Sequence, residues 1–148
     1  MSSTQAAVTL TQQADYRFDI HFADGLPALQ SDEPPPLGQG AGPSPVQLLA
    51  ASVGNCLSAS LLFAMRKFKQ AAEPMAAAVS ADVGRNADGR LRVLGLQVRL
   101  TLGVPAAGLQ HLERVLGSFE AFCTVTQSVA AAIPVEVQVF DSTGARLK

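Results

Sequence analysis

The sequence predicts an α+β fold in which antiparallel sheets pack around one long central helix. Three observations lead to this prediction. Alternating apolar and polar residues, a pattern typical of strands, occur both before and after the middle of the chain. Between them lies an uncharged apolar stretch, residues 46–65, with the length of a long helix. The strand segments do not alternate regularly with helical ones, so a parallel βαβ arrangement is not expected.

Composition limits the classes of protein to which the chain can belong. Its 148 residues, of which 48% are hydrophobic, suffice for a core of their own and predict a single domain over residues 1–148. Eleven basic and twelve acidic side chains, without a run of either sign, argue against nucleic acid or a charged membrane surface as a partner. No signal peptide is visible, so we expect a cytoplasmic location and no permanent structural disulfide.

The central helix is predicted over residues 42–69. Ser44 is a suitable N-cap, Pro45 suits the first helical position, and the Gln47 side chain can complete a capping box. The uncharged stretch has about the length of a membrane span, but its interspersed polar residues favour a buried core helix. A helix that is apolar on nearly every side predicts a sheet against one face and a second helix or a partner subunit against another.

The segment before this helix predicts a three-stranded meander. Strands are expected over residues 7–13, 16–23 and 26–33, with a turn at Asp24-Gly25 between the last two. Residues 34–43 are too rich in proline and glycine for a helix or a central strand. They form either the rim of a pocket beside the helix N-terminus or a plain connector, and both interpretations remain open.

The segment after the helix predicts a hairpin, further helices and a final strand. In the hairpin, over residues 77–102, the alternation changes phase near Val93, Leu94 and Gly95, which indicates a β-bulge. Helical spacing begins at residue 106, and Gly117-Ser118 is a possible interruption. A further helical piece over 122–132 and a strand over 135–139 complete the chain.

The two cysteines, Cys56 and Cys123, are the candidate reactive groups. A thiol becomes a useful nucleophile only when its pKa is lowered or a base lies beside it. Cys56 lies too deep in the predicted helix to benefit from the dipole at its N-terminus, so composition alone favours two unreactive core thiols. Two histidines and two cysteines without short ligand spacing argue against a metal site, and no cofactor motif is evident.

Two segments change this interpretation of the cysteines. GPSPVQLLAASVGNC ends at Cys56, and FCTVTQSVAAAIPVEVQVF begins beside Cys123. Both resemble the OsmC/Ohr family of thiol-dependent peroxidases, in which a Ser/Asn-Pro helix start precedes the reactive cysteine and a second cysteine precedes an Ile-Pro-Val strand. The resemblance covers nearly the whole chain. It implies an OsmC-like fold, assembled as an intertwined homodimer with its sites at the subunit interface.

The resemblance also implies a two-cysteine mechanism without a cofactor. Cys56 would be the peroxidatic cysteine, which attacks an organic hydroperoxide, and Cys123 the resolving cysteine, which captures the resulting sulfenic acid as a disulfide. A dithiol reductant would then restore both thiols. The expected partners are therefore the hydroperoxide, the dithiol and a second copy of the chain.

The sequence departs from the family pattern at the helix start. Val46 stands where family peroxidases usually have a glutamate that orients a thiolate-stabilising arginine. Arg17 is the only arginine before the helix, and it is either that activating cation or a solvated residue on the polar face of its strand. Asp32-Glu33 could supply a carboxylate in place of the glutamate, or could be an exposed acidic pair.

These departures leave an alternative function open. The chain could be a non-catalytic OsmC-like protein that acts as a thiol redox sensor or binds a hydrophobic small molecule. A pair of inert thiols kept for structure is a third interpretation.

Overall fold

The computed structural model describes residues 2–23 and 25–148, and the chain in it forms two compact units, Met1–Leu48 and Leu49–Lys148. Three strands are followed by one long helix, two strands, two short helices and a final strand. This order confirms the predicted α+β class. The single domain over residues 1–148 stays a prediction.

The first unit contains the predicted meander. Its strands are β1 (Thr9–Ala14), β2 (Arg17–His21) and β3 (Leu29–Ser31). They pair antiparallel in the order β1-β2-β3. In β2, Ile20 is buried and Phe18 half-buried, whereas Tyr16 and Phe22 at its ends are exposed. Asp24 of the predicted turn lies outside the described residues, and the Leu26 N–H donates to the Ala23 carbonyl across it at 3.2 Å.

The long helix α1 (Pro45–Lys67) begins at the predicted capping box. The Ser44 N–H donates to Gln47 Oε1 at 2.8 Å, and the Gln47 N–H donates to Ser44 Oγ at 3.3 Å. Two backbone donors that the helix itself cannot satisfy are thereby paired.

At its C-terminus α1 stops through a backbone motif that was not predicted. Lys69 adopts a left-handed conformation with φ of 56°, which turns the chain away from the helix axis. The Lys69 N–H then donates to the Arg66 carbonyl at 2.9 Å, and the Gln70 N–H donates to the Met65 carbonyl at 2.9 Å. This pairing satisfies carbonyls that the end of the helix would otherwise leave open.

The second unit is built on a mixed sheet. Its strands are β4 (Ala76–Arg85), β5 (Leu91–Thr101) and β6 (Val135–Phe140). β4 and β5 form the predicted antiparallel hairpin, and Leu94 is the extra residue of the predicted bulge, because Gly95 pairs with Asp82 and Val93 with Val83. β6 pairs parallel to β5, which differs from a wholly antiparallel sheet. The helical segments between these strands provide the crossover that a parallel pair requires.

That crossover contains two short helices, α2 (Leu112–Ser118) and α3 (Thr124–Ala130). The predicted interruption at Gly117-Ser118 is confirmed, since α2 ends at Ser118 and a 3₁₀ turn, Phe119–Phe122, follows it. The turn buries Phe119 and places Cys123 directly before α3.

The core of the second unit forms around α1. One cluster joins Leu57, Leu61 and Met65 of α1 to Leu96 and Leu100 of β5. Helix and sheet approach each other closely at Gly54, where an added Cβ would lie 2.6 Å from Val79 Cγ2. α1 is long and apolar enough to cross a membrane, but Leu57, Leu61 and Met65 pack in the core cluster, as the side chains of a core helix do.

Asp141, the buried residue after β6, joins the start of the crossover to the turn that follows the strand. Its carboxylate accepts hydrogen bonds from the N–H groups of Ala106, Thr143 and Ala145 at 2.8, 2.9 and 3.0 Å, and from the Thr143 hydroxyl at 2.7 Å. These donors, with Ala106 first among them, outweigh desolvation and lower the pKa of Asp141 to about 2. The charged form is therefore the one that the fold stabilises.

We predict that Asp141→Asn destabilises the protein in a pH-dependent way. The pKa of Asp141 is lower in the folded state than in the unfolded chain, so its contribution is complete above about pH 4 and is lost as the pH falls toward 2. Urea unfolding should give a lower free energy of unfolding for the variant than for the wild type at pH 7. This gap should narrow as the pH is lowered to 3. Asp88→Asn, at an exposed hairpin turn, is the control and should show no such gap. A gap that stays constant with pH would contradict this account.

Candidate active site

Cys56 lies near the middle of α1, in the second unit. Its side chain is half-buried and packs against the apolar core cluster. The Ser52 hydroxyl, one turn earlier, donates to the Leu49 carbonyl at 2.8 Å and so is engaged by the helix backbone. The residue is therefore less buried than the core cluster against which it packs.

Cys123 is the N-cap residue of α3 and is fully buried, with 0% of its surface exposed. Its sulfur lies 3.0 Å from the hydroxyl oxygen of Thr126, which is itself only 3% exposed. Cys123 therefore has one defined polar partner within its own helix.

The structure brings the two thiols together. Both are free and both belong to the apolar cluster of the second unit, Cys123 as a core residue and Cys56 packed against it. Burial raises the pKa of the Cys123 thiol, the neighbouring Cys56 thiol raises it further, and the hydrogen bond to Thr126 acts in the opposite direction. Cys123 is thus held mainly as a neutral thiol beside a more exposed one.

Arg17, the third predicted site residue, lies in the first unit as the first residue of β2. It is half-buried, and its Nε is buried without a hydrogen-bond partner among the described residues. Its positive charge contributes to lowering the pKa of Asp32 in the same unit. Its catalytic role stays a prediction.

Asp32 is a polar residue that the sequence interpretation placed wrongly. An exposed acidic pair was the expected alternative, but Asp32 is only 4% exposed. Its carboxylate accepts hydrogen bonds from the N–H groups of Glu33, Gln39 and Ala41 at 2.9, 3.1 and 3.1 Å. The hydrogen bond from Ala41 is the main reason why the pKa of Asp32 is lowered. Asp32 therefore organises the proline- and glycine-rich loop, and its role as a replacement for the family glutamate stays a prediction.

The loop that Asp32 organises forms the rim of a cleft beside the start of α1. The cleft has a volume of about 690 Å³ and is lined by Asp32, Pro34, Gly40, Gly42, Pro43, Ser44 and Gln47. A second cleft of about 290 Å³ includes Arg17, Asp32 and Gln39. The first turn of α1 holds no acidic residue, in keeping with Val46 at the family's glutamate position.

Thr126 is a site residue that sequence reasoning missed, and for Asp32 it missed the burial and the hydrogen bonds to the loop. Thr126 lies three residues after an N-cap cysteine, the spacing at which an N-cap side chain meets the first turn of a helix. That spacing was a usable signal. Asp32 precedes a run of turn-forming residues whose backbone N–H groups need acceptors, and this signal was weaker because many loops leave such groups to water.

Comparison with known families assigns the chain. A family model described as OsmC-like protein matches residues 38–138. The chain belongs to this family. The match includes both cysteines and confirms the resemblance found in the sequence. A search of curated proteins finds no match to this OsmC-like protein.

Solved structures confirm the OsmC-like fold. An OsmC-like protein from Mycoplasma pneumoniae is 12% identical, with 95% of this chain and 99% of that chain covered and a TM-score of 0.79. The organic hydroperoxide resistance protein OhrB of Bacillus subtilis is 17% identical, with 92% and 98% covered and a TM-score of 0.67. An organic hydroperoxide resistance protein OsmC from Legionella pneumophila is 15% identical, with 94% and 99% covered and a TM-score of 0.71.

We predict that Asp32→Asn loosens the loop without unfolding the protein. An amide presents one acceptor oxygen and an NH₂ group to three backbone donors that the carboxylate satisfies. Hydrogen exchange at the amides of Gln39 and Ala41 should accelerate by about tenfold or more. Asp82→Asn, at an exposed position of β4, is the control and should leave these two amides unchanged. Unaltered exchange at Gln39 and Ala41 in Asp32→Asn would show that the carboxylate does not hold the loop.

Proposed function

We propose that this OsmC-like protein reduces organic hydroperoxides through the thiol pair Cys56 and Cys123. The observation that supports this most is the pairing of a half-buried thiol on α1 with a fully buried one before α3. Proteins of the same fold that are named organic hydroperoxide resistance proteins support a stress-related role involving peroxides.

The proposed reaction proceeds in three balanced steps. The Cys56 thiolate attacks the outer oxygen of the hydroperoxide, the O–O bond breaks, and the departing alkoxide takes a proton and leaves as an alcohol. Cys56 is then a sulfenic acid. The Cys123 sulfur attacks it, the S–O bond breaks, and water leaves as the disulfide forms. A dithiol reductant then reduces this disulfide and is itself oxidised to one.

Burial favours this assignment of roles to the two cysteines. A peroxide reaches a half-buried sulfur more readily than one with no exposed surface, so Cys56 is the residue that meets substrate. Burial raises the pKa of Cys123, so little of it is the thiolate that would attack a peroxide first. It can still resolve a sulfenic acid that forms directly beside it.

Activation of Cys56 is the part of the proposal that rests on the resemblance. Family peroxidases use a glutamate to orient the activating arginine, and Val46 removes that glutamate here. Arg17 is the arginine that the resemblance implies. Its buried Nε makes no hydrogen bond to a described residue, so this donor is not engaged by the chain's own acceptors.

We also propose that the protein is a cytoplasmic homodimer. Exposed residues recur along one face of α1 at steps of four, at Ala51, Asn55, Ala59 and Phe63, and Phe63 is 66% exposed. A helix this apolar is normally covered on every side in a globular protein. A second copy of the chain, which would present the same face, is the proposed partner.

We predict that one equivalent of cumene hydroperoxide converts the reduced protein to an intramolecular disulfide. Intact mass should fall by the mass of two hydrogen atoms, and both free thiols should disappear, because the peroxide takes up the two electrons of the pair. Cys56→Ser should not react. Cys123→Ser, the matched control, should gain one oxygen atom and stop at the sulfenic acid.

The same measurement separates the alternatives. Absence of reaction over minutes would overturn the peroxidase proposal and would leave inert thiols or a binding role for hydrophobic molecules. A disulfide that forms but is not returned to thiols by dithiols would indicate a redox sensor. These alternatives are included because the first turn of α1 has no acidic residue to orient an activating arginine.

We predict that Phe63→Glu dissociates the homodimer. The charge would be placed on the proposed interface and would have to be desolvated there without a partner. Sedimentation velocity should report about twice the chain mass of 15.4 kDa for the wild type and the single-chain mass for the variant. Leu91→Glu, at a similarly exposed position of the hairpin, is the control and should remain dimeric. A monomeric wild type would overturn the proposed assembly.

A further inference from the structure

Thr126 is a buried polar residue that the two-cysteine mechanism does not yet use. Its hydroxyl oxygen lies 3.0 Å from the sulfur of Cys123, and this is the hydrogen bond that the hydroxyl makes with the described residues. Ser128 on the same helix behaves differently, since its hydroxyl donates to the Thr124 carbonyl at 2.9 Å. The Thr126 hydroxyl is thus directed at the thiol and not at the helix backbone.

We propose that Thr126 is a positioning residue for Cys123, which orients the sulfur and donates a hydrogen bond to it whenever it carries a negative charge. A hydroxyl can serve both protonation states of the thiol, because it is a donor as well as an acceptor and its hydrogen rotates freely. It accepts from the neutral S–H group and donates to the thiolate. The side chain itself is stiff, since a β-branched residue in a helix has few χ1 rotamers.

Few groups around Cys123 can stabilise a negative charge on its sulfur. The sulfur has no exposed surface, so water does not solvate its charge. Cys56 on α1 acts against ionisation of Cys123. Glu120, in the turn before Cys123, is paired with Lys148. The Thr126 hydroxyl, and more weakly its backbone N–H, act in favour of the thiolate.

The inference rests on the proposed function for its consequences in turnover. When Cys123 attacks the sulfenic acid of Cys56, its sulfur loses a proton, and the donor stabilises the developing thiolate. When a dithiol reduces the disulfide by attacking the Cys56 sulfur, the S–S bond breaks and Cys123 leaves with the electron pair. A hydrogen bond to a charged group is worth more than one to a neutral group, so Thr126 assists both steps.

The first test measures the thiol alone and does not require peroxidase activity. In a Cys56→Ala background, where Cys123 is the one remaining cysteine, thiolate absorbance at about 240 nm reports its titration. Adding Thr126→Val should raise the pKa of Cys123 by about one pH unit or more. Thr126→Ser, which keeps the hydroxyl, should leave the pKa of Cys123 close to its value with Thr126. Thr124→Val, an exposed threonine of the same helix, should leave the pKa unchanged.

The second test uses the chain with both cysteines. After a single addition of cumene hydroperoxide, the pH profile of disulfide closure should move to higher pH in Thr126→Val, and closure at pH 7 should slow by about tenfold. Loss of Cys56 thiol should keep its wild-type rate, because Thr126 acts on the resolving sulfur. If Thr126→Val does not fold, Thr126→Ala removes the same hydroxyl for the same comparison.

The two tests fail in different ways. If no disulfide forms in any variant, the proposed function fails, while the titration in the Cys56→Ala background still decides the role of Thr126. A Cys123 pKa that does not move in Thr126→Val, or that moves equally in Thr124→Val, would overturn the inference even in an active peroxidase.

Discussion

The burial of a long apolar helix, uncharged over residues 46–65, is the constraint on which the rest of this structure depends. Helix α1 has almost no polar face over residues 46–65, so its apolar side chains favour a position where other elements cover them. The core of the second unit covers one side through Leu57, Leu61 and Met65, and each buried side chain of this size stabilises the fold by about 1.5–3 kcal/mol. The exposed row that remains on α1 is the reason for proposing a second copy of the chain.

That constraint also sets the chemistry of the cysteines. A thiol carried by a buried helix sits among apolar neighbours, where a thiolate is disfavoured. Cys56 retains some exposure, whereas Cys123 has none and depends on its immediate surroundings for stabilisation of charge. Thr126 is the polar group that the fold places at its sulfur. The pair therefore combines a half-buried cysteine with a buried one whose thiol has a hydroxyl beside it.

Local patterns predicted much of the fold and failed where distant parts of the chain meet. The capping box, the meander and the bulge at Leu94 each depend on residues a few positions apart, so the sequence was sufficient to predict them. The parallel pairing of β6 with β5 depends on the path of an entire crossover. The burial of Asp32 depends on a loop folding back over it, which no periodicity records.

The sequence by itself determined where α1 begins, which segments form strands, and that two cysteines occupy the motifs of a thiol-dependent family. These features follow from hydrogen bonding and periodicity among neighbouring residues. Only the tertiary structure decided that Cys56 and Cys123 lie together, that Cys123 is the buried one, and that Thr126 faces it. Burial and the approach of distant groups are properties of the packed chain, because each requires atoms that are remote in sequence to exclude water from the same place.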